Sequence, residues 1–170
     1  MKNNIYIVFA FMLALLSSCG GKLTVDNSVV SDFDTDRFLG EWYEIARFDH
    51  WFERDMQNTK AKYTLLENGR IEVVNSGIKD GKQEESKGKA KLTDTPALLR
   101  VSFFGPFYSD YRILLVDKGY SYALVGSGSD DYLWILSRTP VMSDEAKTVI
   151  LNEAKRRGYE VGNLIWVRHN

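Results

Sequence analysis

The sequence predicts an all-β domain: an eight-stranded antiparallel up-and-down barrel with one C-terminal α-helix packed outside. Three observations predict it. From Glu41 onward, short runs alternate apolar and polar side chains, the period-two pattern of half-buried strands. Turn-forming clusters rich in Gly, Asn, Asp and Pro separate these runs. A capped segment of helical period stands near the C-terminus, after the last predicted strand of the barrel.

The chain opens on a segment with its own logic. Met1 to Ser18 carries Lys2 as its one charge and an unbroken apolar run from Ile5 to Leu15. Eleven residues fall short of the ~20 a spanning helix needs, so the run reads as a secretory leader. Leu16-Ser17-Ser18-Cys19 has the form of a bacterial lipobox, in which small residues give the peptidase access to the backbone before the Cys. The expectation is cleavage before Cys19, acylation of Cys19 and stable membrane anchoring by two or more chains. An ordinary secretory peptide with a chance Cys at the cut is the alternative. Gly20-Gly21 lacks the acidic inner-membrane retention signal, which points to the outer membrane. The expected organisation is leader 1–18, lipidated tether 19–31 and folded domain 32–170.

The eight strands are expected near Glu41–Phe48, Thr59–Leu66, Arg70–Lys79, Glu84–Leu92, Ala97–Phe103, Tyr108–Val116, Tyr120–Gly126 and Tyr132–Arg138. Glu67-Asn68-Gly69, Asp80-Gly81, Asp94-Thr95-Pro96, Gly105-Pro106, Asp117-Lys118-Gly119 and Gly126-Ser127-Gly128 supply turns. The fourth strand has the weakest signal, because Glu84 to Lys91 is mostly polar. Ser143 is a natural N-cap, with Asp144 and Glu145 in the first turn, Lys155 to Arg157 in the last and Gly158 after it. Ala146, Ile150, Leu151 and Ala154 share one face of that helix. A last short strand runs through Leu164 to Val167. Eight antiparallel strands suit a closed barrel, but a two-sheet sandwich has a similar strand count and periodicity alone does not separate them.

Composition narrows the function. At 170 residues the chain holds one domain, with 44% apolar and 13% aromatic residues to fill a core or line a cavity. Its formal charge of −1 offers no basic footprint for nucleic acid. The single cysteine, Cys19, precludes an internal disulfide, a thiolate zinc cluster and a thiol nucleophile in the folded part. His50 and His169 stand far apart without metal-ligand spacing, and neither a Gly-x-Ser-x-Gly elbow nor a phosphate loop occurs. No metal and no cofactor is expected.

Motifs then converge. Gly40-Glu41-Trp42-Tyr43, Val116-Asp117-Lys118-Gly119-Tyr120 and Arg138 in Ser137-Arg138-Thr139 resemble, in order, the three signatures of the lipocalin family. Gly119 departs from the pattern, standing where a second Asp is frequent. Phe48-Asp49-His50, Val101 to Tyr108 and Tyr132 to Pro140 are similar to the bacterial outer-membrane lipocalins. The resemblance covers residues 32–168. It implies that Trp42 closes the barrel floor and that Arg138 lies over it, a cation–π contact of ~1 kcal/mol or more when shielded from water. Gly40, Asp117 and Tyr120 complete this structural motif.

The resemblance also implies an internal ligand site. Strand alternation from the motif residues points Tyr132, Trp134 and Leu136 inward with Arg138, and Tyr122 and Leu124 inward with Tyr120. The same reasoning gives Tyr111, Ile113 and Leu115, then Val101 and Phe103, Ala61 and Tyr63, and Val73. Ala61, Tyr63, Val101, Phe103, Ile113, Tyr122, Leu124, Tyr132 and Trp134 are therefore the candidate ligand-binding residues. The expected partner is a hydrophobic small molecule, a fatty acid such as palmitate or a lysophospholipid, stored or transported near a membrane. Three alternatives stay open: side chains that fill the barrel and leave a ligand-free structural lipoprotein; Glu44, the one acid facing inward, as a catalytic group on a lipid; or Glu44 simply hydrogen-bonded to Tyr hydroxyls. Trp51, Phe52 and Met56 on the Asp49–Asn58 connection, with Phe104 and Phe107, suggest a lid, a membrane contact or a satellite core.

Overall fold

The computed structural model describes residues 24–170; the leader and Cys19 lie outside the described residues. Its strands are β1 (Gly40–Arg47), β2 (Gln57–Leu65), β3 (Ile71–Lys79), β4 (Lys82–Leu92), β5 (Leu98–Phe104), β6 (Phe107–Val116), β7 (Tyr122–Gly126), β8 (Leu133–Ser137) and β9 (Ile165–Trp166). Each of β2 to β7 pairs antiparallel with its successor, and β1 pairs with both β8 and β2. The ladder therefore closes on itself, which decides for a barrel and against a sandwich. β4 forms despite its polar sequence because nine of its residues are in register with β3, from Ile71↔Ala90 to Lys79↔Lys82.

Up-and-down order fixes two ends. The β1–β2, β3–β4, β5–β6 and β7–β8 connections share one end, the open one, and the other turns share the closed end. At the closed end lies α1 (Thr35–Phe38), a turn of helix the sequence reading did not anticipate. The Asp34 carboxylate caps it by accepting from the backbone N–H groups of Asp36 and Arg37, and Phe38 is buried below the barrel. β9 pairs with Ala46 and Arg47, filling the gap that β2 leaves beside the upper half of β1.

Two apolar clusters flank the barrel wall. One fills the inside and includes Trp42, Ile71, Leu99, Ile113, Val125 and Leu136. The other lies outside, where α2 (Asp144–Arg156) covers the wall through Ile150 and Ala154 against Leu114, Leu124 and Ile135. Ser143 caps α2 as expected, its hydroxyl accepting from the Ala146 N–H at 3.2 Å. Burying Leu124 and Ile150, each fully covered, is worth about 2–3 kcal/mol apiece.

Candidate functional site

The floor is built by β1, α1 and the residue after β8. The Arg138 guanidinium carbon lies 3.8 Å from the centroid of the fully buried Trp42 ring. The Trp42 indole N–H donates to the Phe38 carbonyl at 2.7 Å. Arg138 donates to the carbonyls of Arg37 and Glu41 at 2.8 Å and of Leu39 at 2.9 Å, tying α1 to β1. Gly40 is needed between them: its φ is +95°, and a Cβ there would stand 3.4 Å from the guanidinium. At the β6–β7 turn the Asp117 carboxylate accepts from the N–H groups of Gly119, Ser121 and Tyr122. Tyr120 follows with φ +55°, and its hydroxyl accepts from the Asp34 N–H.

That positive φ reverses the parity assumed for β7. Tyr122 and Leu124 point outward, against the α2 cluster, while Ala123 and Val125 face the lumen. The two outward residues are corrected as ligand contacts: alternation counted from Tyr120 fails because Tyr120 lies in the turn, not in the strand. A bulge between Ile113 and Leu115 likewise turns Leu115 to the outside while keeping Ile113 and Tyr111 inside. Ala61, Tyr63, Val73, Ile113 and Leu136 sit in the inner cluster, with Val101, Phe103, Tyr111 and Trp134 packed against it. Tyr132 stacks on Trp134 with ring centroids 5.8 Å apart.

Accessibility changes along the barrel axis. Trp42, Leu99, Ala123 and Val125 near the floor are at most 1% exposed. Higher up, Val101, Phe103, Tyr111, Tyr132 and Trp134 each keep part of their surface accessible. Tyr111 does so although it lies deep within the protein, where burial raises its hydroxyl pKa well above the ordinary phenol range. The lower barrel is thus packed as core, and the inward side chains of the upper barrel are the ones left partly accessible. Small residues make the room: Ala61 and Ala90 line the wall, and Gly88 lies so close under the Phe103 ring that a Cβ would come within 2.8 Å of it. The Tyr63 and Tyr111 hydroxyls share a hydrogen bond of 2.6 Å inside this space.

A buried ionic cluster at the mouth was not legible in the sequence. A bulge between Glu44 and Ala46 puts both Glu44 and Arg47 on the inside. Their side chains pair at 2.6 Å with 6% and 2% exposure respectively. Glu44 therefore has Arg47 as partner, not the Tyr hydroxyls anticipated. Arg47 also donates to the Glu53 carbonyl at 2.5 Å and to the Met56 carbonyl at 3.3 Å, pinning the β1–β2 loop over the barrel. The Glu53 carboxylate accepts from the Trp134 indole N–H at 3.3 Å. Burial, and then the charge of Glu53, raise the Glu44 pKa above the usual carboxylate range against the opposing pull of Arg47. Burial raises Glu53 also. His50 is buried beside them, its ring 4.1 Å from that of Phe52, and burial followed by repulsion from Arg47 pushes its pKa down to about 4. Its Nε2 lies 3.2 Å from Glu53 without hydrogen-bond alignment. His169, one residue from the C-terminal Asn170, hydrogen-bonds the Glu44 carbonyl at 2.8 Å and meets the Tyr43 ring edge-on. Period two would send Ala46 inward and Arg47 outward, so only the bulge assembles this cluster.

A closed eight-stranded barrel with a Trp–Arg floor, a helix outside and partly accessible apolar side chains facing inward at the opposite end has the architecture of a small-molecule-binding barrel. Comparison with known proteins agrees. The family profile described as "Lipocalin-like domain" matches residues 33–169. The chain is 50% identical over 145 residues to the Outer membrane lipoprotein Blc of Citrobacter freundii, covering 83% of this chain and 82% of that one. It is 40% identical over 159 residues to the protein of the same name from Vibrio cholerae, covering 91% and 92%. Among solved structures, insecticyanin from the tobacco hornworm Manduca sexta shares the fold at a TM-score of 0.70 with 24% identity, covering 85% of each chain. The chain belongs to the lipocalin family, whose barrels bind small hydrophobic molecules and are not enzymes.

Proposed function

We propose that this lipocalin is held in the outer membrane by acylated Cys19 and that its lumen takes up one long-chain fatty acid or lysophospholipid for storage or transfer within the envelope. The observation that carries the reading is a ring of partly accessible inward side chains, Val101, Phe103, Tyr111, Tyr132 and Trp134, above a sealed floor. Ala61, Tyr63 and Ile113 complete the proposed wall, and β7, with Ala123 and Val125 facing inward but fully buried, contributes core and no ligand contact in place of Tyr122 and Leu124. The Tyr63–Tyr111 hydroxyls and the Glu44–Arg47–Glu53 cluster offer hydrogen bonds to a polar head. The names of the Citrobacter and Vibrio relatives support the membrane assignment. Burying an acyl chain stabilises the complex by ~0.8 kcal/mol per CH₂ before association costs. Micromolar affinity, about −8 kcal/mol, is within that range.

Mass spectrometry of lipid released from the purified protein identifies the ligand. Titration of the delipidated protein with palmitate and with a lysophospholipid, followed by Trp fluorescence, should saturate. Trp134→Arg should abolish binding and leave the fold intact, because the floor at Trp42 is untouched. A folded, delipidated protein with no saturable signal up to high micromolar acyl ligand refutes the binding reading. Cys19→Ser should lose label from a palmitate analogue in cells, and equal label in both proteins refutes the anchor.

A further inference from the structure

We propose that the open end of the barrel sits on the bilayer that holds the lipid anchor, with Trp51, Phe104 and Phe107 immersed among its acyl chains, so that the lumen opens directly onto lipid. The proposal rests on the reading of Cys19 as the acylated residue. Its first support is the rim. Trp51 is 71%, Phe104 68% and Phe107 78% exposed, and Phe52 beside them is 41% exposed. These side chains come from the β1–β2 and β5–β6 connections, which share the open end. Trp51, Phe104 and Phe107 do not tuck under as a satellite core, whereas Phe52 stacks on buried His50 and Met56 meets Gly77. Large aromatic groups exposed on two connections of the same barrel end mark an interaction surface, and Trp in particular favours the membrane interface.

The second support is where the chain leaves the barrel. Residues expected to form a loose tether through Ser31 are instead strapped to the wall. Buried Arg157 holds the strap, donating to the carbonyls of Ser28 at 2.7 Å and Asp26 at 3.1 Å while also binding the Leu114 carbonyl. The strap climbs from Asp34 at the closed end to Asn27, which donates to the Ser127 carbonyl, and to Thr24, whose hydroxyl donates to Asp130 at 2.6 Å. Ser127 and Asp130 lie in the β7–β8 connection, at the open end. Tyr132 of the same connection is 6.4 Å from the Phe52 ring. The chain thus exits beside the aromatic rim.

Length then selects the orientation. Cys19 is five residues from Thr24, a reach of at most ~18 Å. β6, with ten residues, rises ~33 Å along the strand and ~25 Å along a barrel axis at the usual tilt. The closed end, which also exposes Leu65, Leu66 and Leu92, is beyond that reach when the anchor is in the bilayer. The open end is within it. That end carries Asp49, Asp55, Asp80, Asp130 and Asp131 against Arg54, which is itself paired with Asp49 at 2.6 Å, and Lys79 and Lys82 beside Asp80, so its acids outnumber its bases. Attachment is therefore apolar insertion rather than attraction to anionic headgroups.

The test uses the acylated protein, which has no free thiol once Cys19 is modified. Phe104→Cys, Phe107→Cys and, at the closed end, Asn68→Cys are each labelled with an environment-sensitive dye and reconstituted into phosphatidylethanolamine–phosphatidylglycerol vesicles. The rim labels should shift to the blue and brighten severalfold, the Asn68→Cys label should stay at its aqueous emission, and ~0.5 M salt should leave both unchanged. Rim labels that report water while the protein floats with the vesicles overturn the orientation. A blue shift that grows with the protein-to-lipid ratio also overturns it, in favour of a second copy covering the rim. Protein that does not float with the vesicles at all refutes the anchor reading instead, a distinct result.

Discussion

Trp42 and Arg138 should be energetically coupled, and a double-mutant cycle measures the coupling. Trp42 is fully buried, so Trp42→Ala removes a large side chain from the barrel floor and should cost about 3–5 kcal/mol. For a domain of this size that is a fall in Tm of roughly 10 °C. Arg138→Ala removes the stacked guanidinium and its bonds to the Arg37, Leu39 and Glu41 carbonyls, which remain near enough to solvent to recover water. Its cost should be about 2–3 kcal/mol. With the guanidinium 3.8 Å from the ring centroid, each single variant also forfeits the same cation–π contact, which the double variant forfeits only once. The two costs should therefore exceed that of the double variant by about 1–2 kcal/mol. Urea melts of the four proteins, compared at constant m-value, give the number. Additivity within ~0.5 kcal/mol would show that the stacked geometry contributes nothing, and would refute the account of the floor.

Leu124→Ala should cost about 2–4 kcal/mol in urea while leaving acyl-ligand affinity unchanged, because Leu124 packs under α2. Ser143→Ala should cost about 1 kcal/mol in thermal melts by removing the α2 cap. The pH dependence of stability should carry a His50 signature. With its pKa depressed from 6.5 to about 4, neutral His50 stabilises the fold fully above pH 6.5, and that stability is lost as pH falls through about 4. Relative to His50→Phe, the parent protein should thus lose up to about 3 kcal/mol between pH 7 and 4. Glu44 and Glu53, raised by burial, act in the opposite sense in both proteins, favouring the fold as pH falls toward 4.5, so the comparison isolates His50. A pH-independent difference between the two proteins refutes the assignment.

How the barrel is built was largely legible in the chain. Alternating runs and their turns mark eight strands, and Ser143 with Gly158 brackets a helix, because these signals arise from local sterics and capping that a short segment carries by itself. Polar β4 was the faint strand, since its pairing partner β3, rather than its own residues, holds it in place. The candidate site was legible only where alternation runs unbroken, as from Tyr132 through Trp134 and Leu136 to Arg138.

What the sequence by itself determined is the class of protein: an all-β domain of eight strands and one helix, with the Trp42 and Arg138 motifs and enough aromatic surface to line a cup. Only the tertiary structure decided which side chains face the lumen. A bulge of one residue inverts every later side chain in a strand, and its position depends on how neighbouring strands register, not on the strand's own composition. That is why Leu115 turned outward and why Arg47 turned inward to meet Glu44, while Tyr122 and Leu124 turned outward because Tyr120 belongs to the turn before β7. The same is true of the chain's exit at the open end: residues 24–31 look like a tether in sequence, and it takes the buried Arg157, more than a hundred residues later, to strap them to the wall.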